Sequence, residues 1–231
     1  MDGLSSIFLP GINLNINQSL SGHHFGPEIF ALAEFTGCLR FKKVVELGTG
    51  CGALLLLLAK KNASTEFYGI EYCVDLLKIA RFNVVSQGLG MNIRFIATDL
   101  SKGFTFRTGI CDLVVANPPF YRKGSGEVSV DPLKVMARQE GDVSIQTYCS
   151  WAKYLLKHKG KFVSLFLTER LVDIVTALRS EGLEPKRLAF LKSPTRSRSR
   201  LFAIEAVKGG RVGLCLNPSI EIDSSFAWRY A

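Results

Sequence analysis

From position 43 the chain alternates short apolar runs with longer amphipathic stretches, beginning with "KVVELG" at 43–48. Further apolar runs at 66–71, 92–97, 111–117, 161–167, 185–191 and 201–207 predict seven strands in all, with helices at 52–62, 73–88, 144–157 and 168–181 between them. Such an alternation is the pattern of a mostly parallel sheet with helices on both faces, whose strands are apolar on both sides because both are buried. The last two strands are separated only by "KSPTRSRSR". A parallel crossover needs about a dozen residues or more, so these two are expected as an antiparallel hairpin at the sheet's edge. The expected fold class is α/β, a doubly wound, seven-stranded, mostly parallel sheet with that edge hairpin. One domain is expected over 1–231, with an N-terminal extension at 1–42 carrying a helix from Pro27, a core at 43–207 and a tail at 208–231.

Composition narrows the class only a little. With 47% hydrophobic and 21% charged residues the chain can bury a core, and disorder is not indicated. A net charge of +9 permits a polyanionic partner, because clustered Lys and Arg attract phosphates at long range. Cys38, Cys51, Cys73, Cys111, Cys149 and Cys215 form no C-x-x-C and read as reduced thiols of a cytoplasmic protein. His23, His24 and His158 make no ligand constellation, so no metal is expected. "MDGLSSIFLP" lacks a basic segment followed by a long apolar core, so no secretory signal is expected. The longest apolar run, Ala53 to Ala59, is too short to span a bilayer. In "SPTRSRSR", Arg196, Arg198 and Arg200 would share one face if extended and could contact phosphates, or could be solvated loop charge.

"VVELGTGCGAL" places Gly48, Gly50 and Gly52 between an apolar strand and a helix, where glycine lets the backbone turn sharply and approach a ligand at the helix N-terminus. Read as G-x-G-x-x-A the same letters fit a dinucleotide fingerprint. With Glu46 two residues earlier they give E-x-G-x-G-x-G, which resembles motif I of the S-adenosylmethionine-dependent methyltransferases. That resemblance implies a place for Glu46 near the methionine amino end of the cofactor. Glu71 ends the second strand, where a carboxylate can accept from two ribose hydroxyls, in NAD as well as in S-adenosylmethionine. Asp99, in "FIATDL", fits an adenine-contacting acid in methyltransferases and equally a cap for the turn at "DLS".

"DLVVANPPFYRKG" then ends the fourth strand on Asn117-Pro118-Pro119-Phe120. Proline lacks the N–H that a sheet ladder needs and restricts the residue before it, so the strand stops rigidly. In a doubly wound sheet the first and fourth strands are neighbours where the strand order reverses, and ligands sit outside their carboxyl ends. Gly48 and Asn117 are therefore expected across one crevice. An aromatic or amide NH₂ is a poor nucleophile because its lone pair is delocalised, and attack on a sulfonium methyl develops positive charge on nitrogen. The Asn117 side-chain oxygen and the Pro118 carbonyl can each accept one N–H and favour that charge. Pro119 stiffens the arrangement, and Phe120 offers a face on which a planar base can stack.

The combination "ELGTGCG", a strand-end acid and "NPPF" resembles the amino-directed methyltransferases, which modify adenine N6, guanine N2 or the glutamine side-chain amide. With "NINQSLSGHHFGPEIFALAEF", "MARQE" and "EAVKGGRVGLCLNPSIEI" the chain further resembles the bacterial tRNA1(Val) adenine-N6-methyltransferase family. That resemblance implies a Rossmann-like class I methyltransferase fold, S-adenosyl-L-methionine as cofactor, and N6 of an adenine in the anticodon loop of tRNA as target. It also implies that residues 1–42 cover cofactor and substrate, and that Arg138 and Glu140 lie on the substrate side of the pocket, although a helix-terminal ion pair reads equally well there. His23, His24 and Glu28 depart from the family's pattern in "GHHFGPEIF", and the final "SSFAWRYA" matches no motif. The other readings are a glutamine N5-methyltransferase of release factors, whose helical substrate domain 42 residues would not hold, an rRNA amino-methyltransferase, and a methyltransferase-like RNA-binding module without catalysis.

Overall fold

The computed structural model describes residues 4–20, 24–37, 41–104, 107–118, 143–194 and 197–222. Its first element is a hairpin of β1 (Leu4–Leu9) and β2 (Leu14–Ser19), antiparallel and joined through a single turn of 3₁₀ helix at Pro10–Ile12. No strands were expected in this segment. The period-2 signal is nonetheless in "LNINQS", where Leu14 and Ile16 are buried and Asn15 and Asn17 are not. The helix expected from Pro27 is α1 (Glu28–Thr36).

The alternating core follows as β3 (Lys43–Leu47), α2 (Ala53–Lys61), β4 (Glu66–Glu71), α3 (Val74–Ser86), β5 (Ile93–Ala97) and β6 (Cys111–Ala116). It continues as α4 (Ile145–Leu155), β7 (Leu156–Leu167), α5 (Leu171–Ser180), β8 (Leu183–Lys192) and β9 (Leu201–Lys208). Two two-residue strands close it, β10 (Cys215–Leu216) and β11 (Ile220–Glu221). The seven expected strands all form one sheet in the order β8-β9-β7-β6-β3-β4-β5, with β10 and β11 added in parallel along the outer edge of β8. The hairpin is antiparallel as expected, with the last strand turned inward, so that β9 lies between β7 and β8. Phe202, Ala203, Ile204, Glu205 and Ala206 are all buried, which suits β9 to an interior position.

Successive residues of β6 serve opposite faces. Leu113 and Val115 join α1, α2 and the N-terminal hairpin in one apolar cluster, while Val114 and Ala116 join α4 and α5 in the other. Both faces are covered, which is why the strand reads as an unbroken apolar run. In α2, Leu54 to Leu58 are all buried, so the helix is apolar around its whole circumference, and each leucine contributes about 1.5–3 kcal/mol relative to exposure. Cys51, Cys73, Cys111, Cys149 and Cys215 carry free thiols, and burial pushes those of Cys111 and Cys149 up to about 12. None of the described helices is long and apolar enough to cross a membrane.

Candidate active site

β3 pairs in parallel with β6, and the last pair in the register is Leu47 with Ala116. Gly48 and Asn117 each follow that pair by one residue, so the glycine loop and the Asn-Pro segment leave the sheet side by side, as the strand-order argument requires. Gly48 and Thr49 donate their N–H groups to Ile70 O at 2.9 and 3.0 Å, and Gly52 N–H closes a turn onto Thr49 O at 2.9 Å. Gly50, at φ +56°, lies in the left-handed region that favours glycine, and a Cβ built there would meet nothing within 4 Å. Its backbone is therefore open to a ligand. Gly52 packs instead, since a Cβ there would come within 3.3 Å of Ala80 and 3.4 Å of the Phe95 ring.

Glu71 ends β4 and is 4% exposed. Its Oε2 accepts from Gly50 N–H at 2.9 Å, and its Oε1 accepts from Tyr72 and Cys73 N–H at 2.8 and 2.9 Å. A carboxylate has about four acceptor sites, so Glu71 shapes the glycine loop and the start of α3 with three of them before it meets any hydroxyl. The sequence did not show this backbone role. Asn117 Oδ1 is buried and has no hydrogen-bond partner among the described residues. Asp99 caps the turn at "DLS": its Oδ1 accepts from Ser101 N–H at 2.9 Å and from Ser101 Oγ at 2.7 Å, and those bonds hold its carboxyl below the usual range.

Glu46 is 2% exposed and sits beneath the glycine loop, where its Oε2 accepts from Thr49 Oγ1. Burial pushes its pKa from 4.5 to about 8, and the nearby Glu71 charge adds to the shift. Because this pKa is raised on folding, the folded state binds more protons than the unfolded one between 4.5 and about 8. The group's contribution to stability is then fully present below 4.5 and lost as pH rises through about 8. Thermal melts of wild type and Glu46→Gln across pH 5 to 9 are expected to show the variant gaining on wild type as pH rises, by on the order of a few kcal/mol. A pH-independent difference would mean that Glu46 is ionised throughout.

The other predicted positions divide cleanly. Pro118 is buried directly after Asn117. Arg198 and Arg200 are exposed in the β8–β9 connection, where the backbone bends at 197 and 198, so its described part is not extended throughout. The connection reverses the chain between antiparallel strands, which forces the bend. Pro119, Phe120, Arg138, Glu140 and Arg196 lie outside the described residues. Sequence reasoning missed Gly69, where a Cβ would come within 2.6 Å of Phe95 and 2.8 Å of Thr49 Cγ2. A lone glycine inside a strand pattern, as in "EFYGIE", is the signal that could have found it. It also missed Tyr72, which stands 55% exposed directly after the buried Glu71.

An open backbone turn at a helix start, next to a buried carboxylate at the adjacent strand end, fits an adenosyl cofactor. The comparisons with known proteins agree. The family described as "Methyltransferase domain" matches residues 40–178, more than half of the chain. The tRNA1(Val) (adenine(37)-N6)-methyltransferase of Tolumonas auensis is 28% identical over 167 residues, which are 71% of this chain and 68% of that protein. The release factor glutamine methyltransferase of Bacillus subtilis is 35% identical over 78 residues, 34% of this chain and 26% of its own. Among solved structures, a predicted O-methyltransferase from Agrobacterium tumefaciens superposes with a TM-score of 0.66 at 14% identity, covering 87% of this chain and 95% of that one. A methyltransferase from Pyrococcus furiosus gives 0.62 at 19% identity, over 85% and 89%. These likenesses show the fold, and with the family match they make the chain a member of the methyltransferase-domain family, an S-adenosyl-L-methionine-dependent methyltransferase of the class I fold.

Proposed function

We propose that this methyltransferase acts on an exocyclic amino nitrogen, N6 of an adenine in the anticodon loop of tRNA. The observation that carries the reading is Asn117 Oδ1, a buried acceptor without a partner among the described residues, at the carboxyl end of the strand next to the glycine loop. S-adenosyl-L-methionine supplies an electrophilic sulfonium methyl. Glu71 and the Gly50 backbone hold the adenosyl end. Asn117 Oδ1 accepts one N–H of the target amine and, with the Pro118 carbonyl, aims the nitrogen lone pair. As the N–C bond forms, the bond from sulfur to the methyl breaks, its electron pair staying on the sulfur of the departing S-adenosylhomocysteine; positive charge builds on nitrogen, and a fixed acceptor there would lower the barrier. The nitrogen loses its proton after transfer, so no side chain with a depressed pKa is needed. Phe120 supplies the stacking face for the base, and residues 1–42 cover the bound cofactor and nucleotide.

Two further facts support RNA as the target. β6, β7 and β8 run in one direction, so the β8–β9 connection with Arg198 and Arg200 emerges at the same end of the sheet as Asn117. The similarity to the tRNA-modifying relative extends over 71% of this chain, against 34% for the glutamine-modifying one. RNA affinity is expected to fall steeply with salt, and replacing Arg196, Arg198 and Arg200 with Ala should reduce the slope by about one unit for each arginine that neutralises a phosphate. An unchanged slope would make them solvated loop charge. The reading as a whole is tested by incubating the protein with tritiated S-adenosylmethionine, total tRNA and a release factor. Label in tRNA is the expected result. Label in the release factor would favour the glutamine enzyme, and cofactor binding with no label in either would favour a binding module.

A further inference from the structure

Asn83, on α3, is 0% exposed, and its side chain uses every hydrogen-bonding position it has. Its Oδ1 accepts from the Asn17 backbone N–H and from Asn17 Nδ2, both at 2.9 Å. Its Nδ2 donates to Asn17 O at 2.8 Å and to Cys51 O at 2.9 Å. One amide thus fastens β2 of the N-terminal hairpin to the residue between Gly50 and Gly52. The glycines on either side, at φ +56° and +81°, have no side chain to resist rotation of the intervening peptides. Gly50 N–H donates to Glu71, Gly52 N–H donates to Thr49 O, and the bond from Asn83 to Cys51 O ties down the segment between them.

We infer that Asn83 is a positioning residue for the cofactor, coupling order in the N-terminal hairpin to the binding-competent form of the glycine loop. The inference rests on assigning that loop to S-adenosylmethionine. Leu14 and Ile16 pack β2 into the apolar core, and Asn83 ties its backbone to the glycine loop. Asn15 N–H reaches Gln87 Oε1 at 3.3 Å, and Gln18 Oε1 is engaged by Phe25 N–H at 3.3 Å within the extension itself. Coupling between two sites is reciprocal, so a cofactor that selects the ordered loop must also hold the hairpin, and a hairpin cut loose from the loop must weaken the cofactor. Asparagine is required for this. Aspartate keeps the acceptors but loses both donors and sets a carboxylate against two carbonyls. Leucine leaves Cys51 O and both backbone groups of Asn17 without partners.

The test is hydrogen exchange on the full chain, with and without S-adenosylmethionine, for wild type and Asn83→Asp. In wild type the cofactor is expected to slow exchange over residues 14–19 as well as over the glycine loop. Asn83→Asp is expected to weaken cofactor affinity by about tenfold and to abolish the cofactor-dependent protection of 14–19. A purely structural Asn83 would lower the melting temperature and leave the affinity of folded molecules, and the protection of the hairpin, as in wild type; that result would overturn the inference. If the variant does not fold, wild type decides alone: protection of the glycine loop without protection of 14–19 would also overturn it. Failure of wild type to bind S-adenosylmethionine at all would instead overturn the cofactor assignment of the loop.

Discussion

Asn117→Ala is expected to reduce methyl transfer by about 10² to 10³ while leaving S-adenosylmethionine affinity near that of wild type. The reason lies in where the acceptor sits. Asn117 Oδ1 is buried without a partner among the described residues, so removing it takes away no hydrogen bond among them at that atom. What it takes away is an acceptor for the target N–H, which matters most as positive charge appears on nitrogen. Single-turnover rates with saturating cofactor, together with cofactor titration and a melt on the same sample, separate this from misfolding. A variant that turns over at close to the wild-type rate would remove Asn117 from the chemistry.

Glu71→Ala is expected to weaken S-adenosylmethionine binding by at least about tenfold, for two reasons that act together. It removes the carboxylate that would meet the ribose, and hydrogen bonds to a charged group are worth roughly 1.5–3 kcal/mol. It also leaves the N–H groups of Gly50, Tyr72 and Cys73 without their acceptor, so the loop loses the bond that holds Gly50 in place. Glu71→Gln keeps an oxygen for Tyr72 and Cys73 and is expected to fall between the two. Calorimetry showing equal affinity for all three proteins would place the ribose elsewhere.

The parts legible in the sequence are those whose chemistry is local. "NPPF" had to end a strand because proline cannot continue a ladder, and "ELGTGCG" had to be a turn because three glycines separate an apolar strand from a helix. Their meeting across Leu47 and Ala116 followed from the strand order of a doubly wound sheet. What was not legible depends on distant partners. Nothing beside Glu71 in the chain shows that Gly50 will donate to it, and nothing beside Asn83 shows that it will reach both Asn17 and Cys51. The N-terminal hairpin was missed because its alternation is short and interrupted by Pro10, and a two-stranded hairpin gains its stability from what it packs on, here the apolar face over α2 and α3. The inward place of β9 was equally hidden. An antiparallel pair is fixed by the length of its connection, but which member faces the sheet is decided by burial on both sides, and β8 and β9 are both rich in apolar residues.

The most direct test of the account is the identity of the methylated nucleoside. Total tRNA incubated with the protein and S-adenosylmethionine carrying a deuterated methyl group is digested to nucleosides and analysed by mass spectrometry. The account predicts deuterated N6-methyladenosine, formed by wild type and, at a rate lower by about 10² to 10³, by Asn117→Ala. Label on a ring nitrogen, a ribose oxygen or a base carbon would contradict it, because none of those positions has the amino N–H that Asn117 is placed to accept.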